Sequence, residues 1–156
     1  MKRLLIFLSL VLGLSGFAAA QDYNTGIGFR GGLINGLTVK HFLSKKGAVE
    51  GLLASRYKGL EITGLYEVHN PIPKADRLKW YYGAGAHLGF YNGDNTKWDD
   101  DEGNYTSLGL DLILGLEYSF SEVPINLGLD WKPEFNLLGY SKFIGDGVAL
   151  SVRFIF

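Results

Sequence analysis

The stretch Leu108-Gly109-Leu110-Asp111-Leu112-Ile113-Leu114-Gly115-Leu116-Glu117-Tyr118-Ser119-Phe120 decides how the rest of the chain is read. Its even positions are all leucine, tyrosine or phenylalanine. Its odd positions are Gly109, Asp111, Ile113, Gly115, Glu117 and Ser119. Successive side chains of a strand point to opposite faces, so the segment is a strand with one continuous apolar face. Toward the C-terminus the rule holds with a new phase. Ile125, Leu127, Leu129, Trp131, Pro133, Phe135 and Leu137 oppose Asn126, Gly128, Asp130, Lys132, Glu134 and Asn136. Val148, Leu150, Val152, Phe154 and Phe156 then oppose Ala149, Ser151, Arg153 and Ile155.

Toward the N-terminus the pattern loosens. Leu78 to Phe90 places Trp80, Tyr82, Ala84, Ala86 and Leu88 opposite Lys79, Tyr81, Gly83, Gly85 and His87. Leu60, Ile62, Tyr66 and Val68 oppose Glu61, Thr63, Glu67 and His69. Val49, Leu53 and Tyr57 oppose Glu50 and Arg56, and Ile27, Phe29 and Leu33 oppose Gly28, Arg30 and Gly32. Leu37 to Leu43 is the weakest segment, because His41 and Phe42 break its phase. Eight strands result, each close to the roughly 9–11 residues that cross a bilayer at a tilt. Ser44-Lys45-Lys46-Gly47, Asn70-Pro71 and Glu122-Val123-Pro124 are turns at one end. Asn35-Gly36, Lys58-Gly59, the polar stretch Asn92 to Thr106 and Tyr140 to Gly145 connect strands at the other.

Composition agrees with this reading. Gly 22, Tyr 9, Phe 10 and Trp 3 against only Pro 4 suit many strands joined by turns rather than helices or a disordered chain. The formal net charge of -1 offers no basic surplus for a nucleic-acid backbone, so no nucleic-acid partner is expected. Cysteine is absent, which removes disulfides, thiolate metal sites, a cysteine nucleophile and the lipid-bearing cysteine of a lipoprotein.

Residues 1–20 are a different kind of sequence. Lys2 and Arg3 precede the apolar run Leu4 to Leu14, and Ala18-Ala19-Ala20 gives a small-x-small cleavage pattern before Gln21. A spanning helix needs about 20 apolar residues, more than this run supplies. A cleaved signal peptide over 1–20 and an exported domain over 21–156 are expected. Cleavage takes the formal net charge from -1 to -3.

Alternation alone does not say which face looks outward. A soluble lipocalin-like barrel would turn the apolar face inward around a greasy ligand. Three features oppose that. The apolar face is nearly unbroken, with Phe29, Tyr57, Trp80, Phe90, Tyr118, Phe120, Phe154 and Phe156 toward strand ends like an interfacial girdle. The other face is poor in the Lys, Ser and Thr of a solvated surface. The last strand is apolar at every second position up to Phe156. The reading is therefore all-β: an eight-stranded antiparallel up-and-down transmembrane β-barrel with a plugged polar interior. Arg30, Arg56, Lys79, Lys132 and Arg153 would line that interior beside Glu50, Glu61, Glu67, Asp111, Glu117, Asp130 and Glu134. Buried charges must pair, and both signs are present. Eight strands enclose a space that side chains can fill.

The signal segment, the strand number and Val152-Arg153-Phe154-Ile155-Phe156 resemble small outer-membrane barrels of the OmpX and OmpA-barrel type. Gly64-Leu65-Tyr66-Glu67-Val68-His69-Asn70 and Trp80 to Phe90 are similar to barrel-only proteins of Bacteroidetes. The resemblance implies a monomer in the cell outer membrane of a Gram-negative bacterium, in contact with lipid and lipopolysaccharide. It implies that periplasmic chaperones and the barrel-assembly machinery handle the chain, the latter reading Val148, Leu150, Val152, Phe154 and Phe156. It implies no peptidoglycan-binding domain after Phe156 and no particular activity.

Candidate chemistry is sparse. Glu67 and His69 share a face and could act as base and orienter. They fall at the periplasmic end, whereas a lipid A-modifying enzyme would need its His at the outer rim. Asp99-Asp100-Asp101-Glu102 lacks the spacing of an EF-hand loop, and Gly103 stands where a ligand is wanted. No metal and no cofactor are expected. Trp98, Asp99, Asp100, Asp101 and Tyr105 form the expected external contact surface. The expected role is structural or surface-interacting and non-catalytic, with a narrow porin-like pore and a lipid A-modifying enzyme as alternatives.

Overall fold

Period-two patterning and glycine-rich turns produce strands throughout. The computed structural model describes residues 22–33, 35–56, 59–92, 104–138 and 143–156, the side chains of 56, 92, 104 and 105 excepted. Among the described residues there is no helix. The strands are β1 (Thr25–Gly32), β2 (Asn35–Phe42), β3 (Gly47–Arg56), β4 (Gly59–Pro71), β5 (Leu78–Asn92), β6 (Asn104–Ser119), β7 (Ile125–Trp131), β8 (Glu134–Leu138), β9 (Phe143–Ile144) and β10 (Val148–Ile155). Each pairs antiparallel with its neighbour from β1 to β7, β7 pairs with β10, and β10 returns to β1. The ring of β1 to β7 and β10 is closed, which is how a barrel removes sheet edges. At the seam Gly28 faces Arg153 and Ile27 faces Phe154. Phe156 exchanges backbone hydrogen bonds with Thr25, at 2.9 Å each way.

Eight strands thus form the wall, but the seventh is not the unbroken run from Ile125 to Leu137 that alternation predicts. It stops at Trp131 and resumes at Glu134. Pro133 has no N–H for the ladder, so a central strand breaks there. Register along β6 survives the break. Leu114 faces Trp131 and Asp111 faces Glu134, with the Leu112 N–H donating to the Pro133 carbonyl at 3.0 Å. Across the other side the pairing slips by one residue, from Trp131–Val148 to Glu134–Ile144. A second correction concerns the long polar connection. Tyr91 pairs with Tyr105 and Asn92 with Asn104, so Asn104 to Thr106 belong to β6. Tyr105 is a strand residue; Trp98, Asp99, Asp100 and Asp101 lie outside the described residues.

The two faces of the wall separate cleanly. Leu112 and Leu129 are 50% and 51% exposed, and Phe29 reaches 72%. Toward the end carrying the turns 43–46, 72–77 and 120–124 lie Trp80, Tyr82, Tyr118, Phe120, Phe154 and Phe156. Toward the opposite, loop end lie Phe29, Phe90, Phe135 and Phe143. Leucine, isoleucine and valine predominate between these bands, with Tyr66 and Trp131 also exposed on that face. The lipocalin-like arrangement is the reverse of this one. β2 also obeys the alternation. Thr38, Lys40 and Phe42 are buried while Leu37, Val39 and Leu43 are exposed, so the break in phase at His41 and Phe42 is one of residue type, not of direction.

Candidate functional site

Inward-facing side chains stack in four tiers. Tyr23, Phe42, Ala48 and Ile155 make an apolar plug at the turn end. Leu52, Leu65, Tyr81 and Ile113 make an apolar waist further up. One ionic layer lies between plug and waist, and a second lies beyond the waist toward the loop end. The strand pattern sets this order. On β3 the inward residues run Ala48, Glu50, Leu52, Ala54, and on β6 they run Glu117, Gly115, Ile113, Asp111. Tyr81 can lie across the bore because Gly115 is beneath it; a Cβ there would fall 2.5 Å from the ring.

Lys40 and Arg153 centre the turn-end layer. Lys40 Nζ stands 2.8 Å from Glu67 Oε2, 3.5 Å from Glu50 Oε2 and 3.6 Å from Glu117 Oε2. It also sits 4.1 Å from the centroid of the Tyr81 ring, a cation–π contact. Arg153 pairs with Glu50, and its Nε donates to Thr38 Oγ1 at 3.1 Å. Its Nη1 reaches Asn126 Oδ1 at 3.3 Å. The Glu50 carboxylate also accepts from the Thr38 hydroxyl. His69 is wedged between carboxylates, with Nε2 2.9 Å from Glu67 Oε2 and Nδ1 3.3 Å from Glu117 Oε1, and it stacks on Tyr81 at 4.8 Å. Tyr23, just before β1, donates to Glu117 Oε2 at 3.0 Å. Burial and the adjacent Glu117 charge push its phenol well above the usual range, so it remains a donor. Arg30 pairs with Asp130, which also accepts from the Tyr81 hydroxyl at 3.4 Å.

Lys132 centres the loop-end layer. Its Nζ donates to Glu134 Oε1 at 2.7 Å and Asp111 Oδ1 at 2.9 Å, and lies 3.7 Å from Glu61 Oε1. Tyr91 donates to Glu61 Oε2 at 2.7 Å. His87 rests over Gly109, with Nδ1 2.9 Å from Asp111 Oδ2 and Nε2 2.7 Å from Asn136 Oδ1.

Of the residues predicted to line the interior, Arg30, Glu50, Glu61, Glu67, Asp111, Glu117, Asp130, Lys132, Glu134 and Arg153 are buried and meet in these layers. Lys79 does not join them. It sits at the turn-end mouth, 2.8 Å from Asp22 Oδ2. The Arg56 side chain lies outside the described residues. Lys40 is the partner that sequence reasoning missed. It was legible, since it shares its phase with Gly36 and Thr38. The Glu67–His69 pair cannot serve as a base and its orienter for an outside substrate. Both side chains are sealed inside, and both ring nitrogens already face carboxylates.

No protein-family model matches the sequence, nor does any curated protein. By fold the chain is similar to the N-terminal β-barrel domain of OprF from Pseudomonas aeruginosa. The TM-score is 0.66 over 88% of this chain and 100% of that domain, at 16% sequence identity, and the two share an eight-stranded antiparallel barrel.

Proposed function

We propose that the chain is an integral outer-membrane barrel with a structural or surface-interaction role, filled rather than conducting. A single observation carries the reading: a closed wall whose exposed face is an apolar belt between aromatic bands, around an interior of paired charges. Closure pairs the wall strands with one another around the ring, which is what a bilayer demands. On this reading residues 1–20 direct export, the turn end faces the periplasm, and residues 93–103 meet the outside, with Trp98, Asp99, Asp100 and Asp101 as contact residues. Kinship with small barrels of the OmpX and OmpA type, and with Bacteroidetes members in particular, belongs to the same proposal. So do a monomeric state, lipid and lipopolysaccharide as surroundings, and delivery by chaperones and the assembly machinery through Val148, Leu150, Val152, Phe154 and Phe156.

Three measurements test it. Spin labels at Leu112 and Leu129 should be relaxed by quenchers dissolved in acyl chains and not by water-borne ones. Leu112→Arg should cost about 2–4 kcal/mol in vesicles if the position lies near the bilayer midplane. In planar bilayers no steady single-channel current should appear. A steady current would select the narrow-pore reading instead.

A further inference from the structure

We propose that the break in the wall at Pro133 holds one acyl chain of a bilayer lipid, in a groove on the outer face of the barrel. This rests on the outer-membrane reading above, which turns that face toward hydrocarbon. Leu112 and Leu114 of β6, Trp131 at the end of β7, Pro133, Phe135 of β8 and Phe143 of β9 line the groove, whose volume is about 480 Å³. Tyr82, Leu114 and Trp131 share one level of the wall, and Phe135 pairs with Leu110, four residues further along β6. That is about 13 Å along a strand, within the roughly 15 Å hydrocarbon depth of one leaflet. The rings of Phe135 and Phe143 meet at 4.8 Å at the loop end. The span suits a single chain of the loop-side leaflet.

Three features name hydrocarbon as the occupant. Among the described residues no charged side chain lines the groove. The polar backbone groups around the break are also paired without water. The Leu112 N–H donates to the Pro133 carbonyl at 3.0 Å and the Lys132 N–H to the Gly147 carbonyl at 2.9 Å. The Trp131 indole Nε1–H donates to the Gly145 carbonyl at 2.7 Å. A surface carbonyl in water needs no such partner, whereas one in hydrocarbon does. Trp131 therefore caps a carbonyl and lines the groove with the same ring. The third feature is shape. Lipid tails are as apolar as leucine, so packing rather than the hydrophobic effect decides what lies against the wall. An unfilled recess loses dispersion contacts on one side, and a flexible chain can follow a recess and recover them. A second barrel is a poorer fit, because two convex walls meet along a line of protruding side chains.

The barrel should be refolded into vesicles of dimyristoyl phosphatidylcholine, extracted in mild detergent and examined by native mass spectrometry. One phosphatidylcholine should stay with it. Leu112→Trp fills the groove and should lower that retention about tenfold, the loss of roughly two buried methylenes. Leu53→Trp, on β3 across the ring, should leave it unchanged. Heat-modifiable gel mobility reports whether each variant folds. In a barrel carrying Trp80→Phe and Trp98→Phe, brominated phosphatidylcholine should quench Trp131 emission at mole fractions too low for chance contact. A folded wild-type barrel that retains no lipid overturns the proposal. So does Trp131 quenching that rises only in proportion to the brominated lipid. Retention that survives Leu112→Trp, or falls equally with Leu53→Trp, places the lipid elsewhere on the belt and overturns it as well. A retained second barrel, or detergent in place of lipid, gives the groove another occupant with the same consequence. Each of these results leaves the membrane reading standing while a spin label at Leu129 meets quenchers dissolved in acyl chains. A Leu129 label that meets water-borne quenchers fails that reading on its own.

Discussion

The two ionic layers of the bore are built from the same residue types and solve different problems. The turn-end layer sets two cations, Lys40 and Arg153, against Glu50, Glu67 and Glu117, and lies shut between an apolar plug and an apolar waist. In the loop-end layer Lys132 reaches three carboxylates, Glu61, Asp111 and Glu134, and the layer runs on to half-buried Asn136. Charges cut off from water on both sides must be matched almost completely, because nothing else can solvate them. At the loop end one ammonium is shared among three acids, and the Tyr91 hydroxyl and the His87 ring engage carboxylate oxygens as well.

The largest expected effect breaks the sealed layer. Arg153→Leu leaves Glu50 to Lys40, 3.5 Å away and shared with Glu67 and Glu117, and should cost about 3–5 kcal/mol, read as the shift in a urea unfolding curve of the barrel in lipid. The double variant with Glu50→Leu should recover most of that loss, because two well-packed apolar groups can replace a buried pair. A smaller effect tests the partition between the layers. Gly115→Ala drives a methyl into the Tyr81 ring and should cost about 1–3 kcal/mol by overpacking, with tyrosine fluorescence reporting the displaced ring. The smallest belongs to the loop-end layer, where Lys132 keeps Asp111 and Glu61 after Glu134→Gln, so the midpoint should move by about 1 kcal/mol or less. A shift as large as that of Arg153→Leu would show the layers to be equivalent.

How far the sequence could be read followed from what each feature depends on. Leu108 to Phe120 announced its faces because alternation is a property of one strand and needs no partner. Lys40 was passed over because aromatic Phe42 points inward, into the plug with Tyr23 and Ile155, where a polar residue was expected. That preference comes from packing across the bore, which no single segment displays. Pro133 fitted the apolar phase, so the pattern ran through it; the missing N–H, not the side chain, ended the strand. Tyr105 fell in a polar run, yet pairing with Tyr91 made it a strand residue. The grouping of Glu61, His87 and Glu134 has no linear spacing at all, since closure of the ring alone brings their strands to one level.

That closure has a temporal side. β10 is both the last wall segment and the carrier of Arg153, whose guanidinium reaches Thr38 and Asn126 on strands either side of the seam and, one strand further on, Glu50. The carboxylate on β3 therefore has no guanidinium partner until the final staple of the cylinder is driven home. Zipping the backbone and quenching the inner charge are one event. A half-made barrel is penalised twice, by an open flank and by an acid left to share Lys40 with Glu67 and Glu117, and the step that ends assembly is also the one that makes it hard to reverse.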